Sequence, residues 1–320
     1  MQDNRPLFYV LASAALYGLS MPLSKILLAD VSPVALAGLL YIGSFLGLTM
    51  LGFLGAFGEK RNAKKLDLKE TMWLAGAILF GGILGPIFLM LGLSQISGFS
   101  ASLLLNLEGI ATALIASAVF REFTGKRFWL ALLCMTSAGI LVSWSFSEGP
   151  VSFIGPGYVV LAMVFWGLDN NFTRKVTSIG PISIARAKCL FAGLINLGIG
   201  LLLGSRIETD SSLVYAILLG TFGYGVSLVF FIRALRGWGS ARTGAFFSLA
   251  PFIGAMGSIV ILRENISGNL MPAFMLMAAG AWLIASEKHI HAHYHGGVLH
   301  AHEHYHDIEH EHDHEAKIKK

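Results

Sequence analysis

The chain has 320 residues, of which 55% are hydrophobic and only 13% are charged, and its mean hydropathy is +0.67. These values exclude an ordinary soluble domain and favour a polytopic membrane protein. The net charge of +4 does not indicate a nucleic-acid partner, because in a membrane chain the position of basic residues matters more than their sum. Cys134 and Cys189 both fall in apolar runs and predict no disulfide framework.

Apolar runs of about 20 residues, separated by polar breaks, predict ten transmembrane helices. They cover residues 7–29, 34–57, 72–93, 99–120, 128–146, 156–176, 182–203, 213–235, 243–262 and 270–286. Runs of this length favour helices over a barrel, whose strands would alternate polar and apolar residues. The predicted fold class is therefore an all-α integral membrane protein in contact with the lipid bilayer.

The distribution of Lys and Arg supports this count, because the positive-inside rule places basic residues in alternate loops. On one side of the ten predicted helices lie 20 of the 23 basic residues, and the exceptions are Lys25, Arg206 and Arg263. One miscounted helix would mix the two sets. We therefore predict a multi-pass protein of the plasma membrane with both termini in the cytoplasm.

One segment occurs twice in the chain. Residues 100–122 and 240–264 share a Ser-Ala start, an apolar middle and an Arg-Glu end. Tyr17-Gly18-Leu19 matches Trp166-Gly167-Leu168 in the same way. Because each half holds five predicted spans, an odd number, the second copy must lie upside down in the membrane. The predicted organisation is two inverted five-helix repeats, 1–147 and 148–287, followed by a disordered cytoplasmic tail, 288–320.

This pattern resembles the EamA-type members of the drug/metabolite transporter superfamily over about residues 7–286. The resemblance rests on the aromatic-Gly start of each repeat and on three further features. Pro33 and Pro181 open the second helix of each repeat, Pro251 lies in the ninth helix, and Glu122 and Glu264 close the fourth and ninth. Two positions of the first repeat depart from this pattern. Gly109 lies at the position equivalent to Pro251 in the second repeat, and Leu40 lies at the position equivalent to Lys188. The resemblance implies a secondary transporter of a small-molecule substrate.

Glu108 lies within the fourth predicted helix, seven residues past Ala101 and so about 10 Å along it. A carboxylate at that depth is costly unless it faces a cavity, a partner or a proton. One interpretation is a protonatable coupling or substrate-binding group. The other is a fixed interhelical contact, for example with Asn106 or a basic residue.

The second half contributes the remaining candidate site residues. Trp166 precedes the polar run Asp169-Asn170-Asn171, and three consecutive polar residues cannot all avoid lipid on one helix face, so at least one should point into the bundle. Lys188 either reaches the membrane interface or faces a central path, where it and Arg242 would favour an anionic or zwitterionic substrate. Tyr224, in a Gly-rich segment, is a further pocket candidate.

All 11 histidines lie between His289 and His314, where Asp and Glu alternate with several of them. Imidazole is a ligand for Zn, Ni, Co and Cu, so the tail is expected to bind divalent metal ions, although no cofactor is required for function. The predicted ligands are His291, His293, His295, His300, His302, His304, His306, His310, His312 and His314.

Two functions follow from these patterns. The first is a secondary active transporter, an exporter of small organic metabolites such as amino acids, working by alternating access with Glu108 as its proton carrier. The alternative is divalent transition-metal efflux (Ni, Co or Zn) with the tail as collector or sensor. The absence of HExxH and GxSxG motifs argues against a membrane enzyme. A homodimer is compatible with the apolar helix faces.

Overall fold

The computed structural model describes residues 5–55, 65–120, 126–144, 153–264, 270–285, 289–295 and 298–304. Its helices are α1 (Arg5–Leu27), α2 (Pro33–Phe53), α3 (Leu68–Ala77), α4 (Gly85–Gln95), α5 (Gly98–Leu104), α6 (Leu107–Phe120), α7 (Lys126–Trp144), α8 (Ile154–Thr173), α9 (Pro181–Leu202), α10 (Asp210–Leu219), α11 (Ser227–Phe247), α12 (Ala250–Leu262) and α13 (Leu270–Ala285). Segments of π-helix, π1 (Ile78–Leu84) and π2 (Gly220–Val226), join α3 to α4 and α10 to α11.

Every range predicted from the apolar runs overlaps helix in the structure. Six helical segments of the described chain are long and apolar enough to cross a bilayer: Arg5–Leu27, Pro33–Phe53, Leu68–Gln95, Gly98–Val119, Pro181–Leu202 and Asp210–Leu235. Three shorter apolar helices are Trp129–Leu141, Ala250–Leu262 and Met271–Leu283. The helical, membrane-type fold predicted from composition is confirmed at this level.

The sequence predicts one continuous helix over residues 99–120. In the structure this helix breaks at Leu105-Asn106. The backbone N–H of Asn106 bonds the carbonyl of Leu103, three residues back instead of four, at 3.1 Å. The Asn106 side chain donates to the same carbonyl at 3.0 Å. An Asn side chain that competes for a helix carbonyl in this way ends the helix locally.

The sequence predicts a loop at residues 236–242, but in the structure these residues are helical, because α11 extends to Phe247. The ring centroids of Phe231 and Phe247 nevertheless lie 4.7 Å apart. Sixteen residues of straight helix would separate them by about 24 Å, so the chain reverses direction between them. A turn at 248–249 and Pro251, which lacks an N–H donor, then separate α11 from α12.

The two halves share element boundaries as well as motifs. Leu68 begins α3 and Asp210 begins α10, a shift of 142 residues, and Ile78 and Gly220 begin π1 and π2 with the same shift. The unusual π segments therefore fall at equivalent places in the two copies. This correspondence supports the internal repeat seen in the sequence.

Close packing around α2 holds the copies together. A Cβ on Gly220 would overlap the Leu40 carbonyl, and one on Gly43 would overlap the Ile217 carbonyl, so α2 packs against α10 and π2 at backbone distance. Gly38 approaches Leu197 on α9 in the same manner. Small residues are what allows helices to approach so closely in a membrane protein.

One end of the bundle, which we call the closed face, is formed by the turns at 28–32, 94–97, 203–209 and 263–264. There Val31 pairs with Ile207 in an isolated bridge, and the Ser212 hydroxyl donates to Asp30 at 2.6 Å. Glu264 accepts hydrogen bonds from the backbone N–H groups of Gly98 (2.7 Å) and Phe99 (2.9 Å). Each of these contacts joins one sequence half to the other.

The start of the tail differs from the disordered segment expected from its composition. Strands β1 (His289–His295) and β2 (Val298–His304) form a two-stranded antiparallel hairpin. The reason lies in the sequence. Histidine occupies every second position from 289 to 295 and again from 300 to 304, and period-two patterns on the two sides of a Gly-Gly pair are typical of hairpins. Residues 305–320, with His306, His310, His312 and His314, lie outside the described residues.

Candidate functional site

Asp169 and Lys188 form an ion pair between α8 and α9. Lys188 Nζ donates to Asp169 Oδ1 at 2.6 Å and also contacts Oδ2. The Thr173 hydroxyl, one turn along α8, donates to Oδ1 at 2.9 Å. Asp169 is 6% exposed, so its charge is held by these partners rather than by water. Of the two interpretations of Lys188, the structure therefore favours a side chain that faces the bundle.

Glu108 is held from the neighbouring position on α8. The Asn170 side-chain amide donates to Glu108 Oε1 at 2.9 Å and to the Thr112 hydroxyl at 3.1 Å. Asn171 donates to the Thr112 carbonyl at 3.0 Å and anchors α6 to α8. Glu108 also lies within electrostatic range of Asp169 and Lys188. The partner of Glu108 is therefore Asn170, not Asn106, whose amide bonds the end of α5.

We call this group the polar core: Glu108, Thr112, Asp169, Asn170, Thr173 and Lys188. Consecutive helix positions project about 100° apart, so Asp169 is directed to α9 while Asn170 is directed to α6. The core contains one cation and two carboxyl groups. It can therefore hold an ammonium group, a carboxylate or an exchangeable proton.

The π1 segment borders the polar core and provides carbonyl groups that accept hydrogen bonds. The carbonyl of Gly81 accepts hydrogen bonds from Tyr41 Oη at 2.8 Å and from Trp166 Nε1 at 3.0 Å. The carbonyl of Gly82 accepts one from Asn196 at 3.0 Å. A π segment leaves carbonyls free of the ordinary i to i−4 pairing, which explains why side chains from three other helices can bond here.

Aromatic side chains cover the polar core on the side of α1 and α2. The rings of Tyr17 and Tyr224 meet edge to face at 5.8 Å, and Tyr41 lies 6.4 Å from Tyr224. Tyr17 also lies within electrostatic range of Glu108. Tyr224, predicted as a pocket residue, thus belongs to this aromatic wall. Trp166, another candidate site residue, serves as a hydrogen-bond donor to π1.

Sequence reasoning missed Tyr17, Tyr41, Thr112 and Thr173. The repeat carried a signal for Tyr17, because it matches Trp166 in the other half. Thr112 lies one turn after Glu108, and this spacing could have indicated a shared partner. Arg242 was predicted as a second cation; its backbone lies in α11, but its side chain lies outside the described residues.

An apolar groove of about 770 Å³ lies beside the polar core, between α6, α7 and α8. Leu107, Ile110, Leu114, Leu132 and Val160 are among its lining residues. Such a lining suits hydrocarbon and not a polar solute. Among the side chains that the structure describes, no group of three His, Cys, Asp or Glu residues is arranged to hold a metal ion.

Comparison with known protein families identifies the chain. The model of the EamA-like transporter family matches it twice, over residues 4–144 and 153–286. The chain belongs to the EamA-like transporter family. Its members are transporters, so the family and the apolar helices together make this a multi-pass membrane transporter.

Relatives from other organisms match most of the chain. An uncharacterized transporter of Methanothermobacter thermautotrophicus is 25% identical over 289 residues, 86% of this chain and 84% of its own length. A probable amino-acid metabolite efflux pump of Salmonella typhimurium is 23% identical over 290 residues, 86% of this chain and 93% of its own length. A solved crystal structure with 18% identity has the same fold, with a TM-score of 0.61 over 88% of this chain and 96% of the other.

Proposed function

We propose that this EamA-family protein is a secondary active transporter that exports small organic metabolites, with amino acids as the leading substrate class. The observation that carries the proposal is the ion pair of Asp169 and Lys188. Asn170, the residue after Asp169, donates to a third ionisable group, Glu108. Charged groups inside a membrane bundle are costly and mark substrate or ion pathways.

A zwitterion fits this pair better than a simple anion or cation. The ammonium group of an amino acid can replace Lys188 at Asp169, while its carboxylate pairs with the Lys188 that is released. The number of ion pairs rises from one to two, and neither protein charge is left unpaired. The Salmonella relative, named as a probable amino-acid metabolite efflux pump, supports the same substrate class.

Glu108 is the proposed proton carrier. Asn170 holds its carboxyl oxygen whether or not the group is protonated, since an amide N–H can donate to either form. Glu108 can therefore bind and release a proton without a rearrangement of α6. Its position beside the Asp169 and Lys188 pair lets the charge of Glu108 change the affinity of the pair for a substrate.

The proposed architecture is ten spans in two inverted repeats of five, with both termini cytoplasmic in the plasma membrane. In this orientation the closed face lies on the outer side, and the described contacts there tie the halves together. Asn170 is exposed, so the polar core is open to a solute from elsewhere than the closed face. Asn170 lies near the end of α8 that is cytoplasmic in this orientation, which supports entry of the substrate from the inside.

Divalent-metal efflux is the second candidate, and the histidine-rich tail is the observation that favours it. The described membrane helices provide carboxylates but no histidine along the path. A transition ion stripped of water would prefer nitrogen or sulfur ligands to those carboxylates. Metal transport therefore ranks below organic export.

Uptake into proteoliposomes separates the two functions. The full chain and a chain truncated after Glu287 are each supplied with a pooled amino-acid and metabolite mixture or with Ni²⁺, Co²⁺ or Zn²⁺. We expect organic solutes to accumulate above the level of empty liposomes in both proteins. If the full chain takes up metal but no organic solute, and truncation lowers the metal uptake, the second function is correct and the first is wrong.

A further inference from the structure

The register of the tail hairpin places histidines opposite one another on two strands. His289 pairs with His304, His291 with His302, and His293 with His300. His295 pairs with Val298. The positions between them hold other residues: Ile290 pairs with Glu303, Ala292 with Ala301, and Tyr294 with Leu299.

Directly opposed residues of an antiparallel pair share one face of the ribbon, and alternate residues along a strand return to that face. The register therefore puts seven histidine positions on a single face and none on the other. A register shifted by one residue would set histidines opposite Glu, Ala or Leu and destroy this arrangement. The arrangement is thus a property of the register and not of composition alone.

The spacing of these positions suits a metal ion. Opposed Cβ atoms in such a pair are about 4.5–5.5 Å apart, and alternate residues along a strand are about 6.8 Å apart. Imidazole nitrogens bind zinc at about 2.0–2.1 Å, so two opposed histidines can share an ion and two successive pairs can supply four nitrogens. The central two pairs are His291 with His302 and His293 with His300.

We propose that the hairpin at residues 289–304 is a divalent transition-metal site, in which the two central cross-strand histidine pairs hold one ion of the Zn²⁺, Ni²⁺ or Cu²⁺ class. An isolated two-stranded hairpin is marginally stable in water, so metal binding and hairpin formation are coupled. The site does not depend on what the membrane domain transports.

The test is calorimetric titration of the full chain in detergent with ZnCl₂, using two matched variants. One carries His291→Asn, His293→Asn, His300→Asn and His302→Asn. The other carries His306→Asn, His310→Asn, His312→Asn and His314→Asn, which removes the same number of histidines outside the hairpin. We expect the first to weaken the tightest zinc site by at least about tenfold and the second by less than about twofold. Equal losses in both variants would overturn the proposal.

A third variant keeps the composition of the tail and moves two histidines to the opposite face of the hairpin. It combines His300→Ala with Ala301→His, and His302→Glu with Glu303→His. We expect its zinc affinity to fall as in the first variant, and zinc to slow amide hydrogen exchange across residues 289–304 in the native chain alone. A variant that binds zinc as tightly as the native chain, or native amides that exchange at the same rate with and without zinc, would show that the register plays no part.

Discussion

Lys188 Nζ lies 2.6 Å from Asp169 Oδ1, and the side chains are only 17% and 9% exposed. Two charges that leave water together depend on each other, since removal of one leaves the other buried and unpaired. Mutation can therefore test the contribution of the pair to stability separately from its proposed role in substrate binding.

The first prediction concerns stability. Lys188→Met or Asp169→Asn alone should destabilise the protein by about 3–5 kcal/mol, because each leaves one buried charge without its partner. The double variant should recover most of the loss, since no unpaired charge remains. Thermal unfolding in detergent measures both effects. Additive losses in the double variant would mean that the two residues do not interact.

The second prediction concerns transport through the same pair. The double variant Lys188→Met, Asp169→Asn should fold but transport amino acids no faster than empty liposomes, because neither end of a zwitterion finds a counter-charge. Uptake by proteoliposomes at equal protein content provides the measurement. Native rates in a folded double variant would remove the pair from the substrate site.

The third prediction concerns Glu108. Glu108→Gln keeps an oxygen that can accept from Asn170 but loses the titratable proton. Flux driven by a pH gradient should therefore disappear, while the melting temperature stays close to that of the native protein. Glu208→Gln, an acidic residue near the closed face, is the matched control and should keep the gradient-driven flux. Gradient-driven flux that survives in Glu108→Gln would exclude this residue from coupling.

The fourth prediction concerns space beside π1. A Cβ on Gly81 would overlap the carboxylate of Asp169, whereas a Cβ on Gly109 meets nothing within 4 Å. Gly81→Ala should therefore cost about 1–3 kcal/mol and lower transport, because Asp169 must move away from Lys188. Gly109→Ala makes the same chemical change in an open position and should leave both properties near native. Melting temperature and uptake, measured together, check the pair of variants.

The fifth prediction concerns the closed face. Glu264→Ala removes the acceptor of the two backbone hydrogen bonds from Gly98 and Phe99, each of a kind that contributes about 1.5–3 kcal/mol. The balance should shift toward an open outer side. Thr112→Cys, in a chain with Cys134 and Cys189 replaced by Ser, then reports opening through its rate of labelling by an impermeant maleimide added outside. We expect faster labelling with Glu264→Ala and no change with Glu208→Ala.

The sequence predicted the helices well because a bilayer demands long apolar runs, and such runs can be counted without knowledge of packing. The break at Leu105-Asn106 was missed because Leu103, Leu104 and Leu105 continue the apolar run through it. Hydropathy records burial in an apolar medium, whereas the break depends on a local hydrogen bond from Asn106.

The charged members of the candidate site and Asn170 could be predicted, but Thr112, Thr173 and the pairing of the side chains could not. Glu108, Asp169, Asn170 and Lys188 were all singled out, since polar residues in apolar helices are costly and need a reason. Which of them pair depends on the rotation of α6, α8 and α9 about their axes, and no local pattern fixes that rotation. The contacts of Trp166 and Tyr41 with Gly81 could not be predicted from the sequence either, because they require the π1 segment.

The shared carbonyl of Gly81 constrains how the protein can move. Its two donors, Tyr41 and Trp166, come from the first and second predicted repeats, so one oxygen atom spans the boundary between them. If the repeats rock apart, Gly81 moves with Tyr41 in the first repeat, and Trp166 in the second must find a new acceptor or lose its bond. Removing the extra residue of the π turn would rotate Gly81 by about 100° about the helix axis and turn its carbonyl away from both donors.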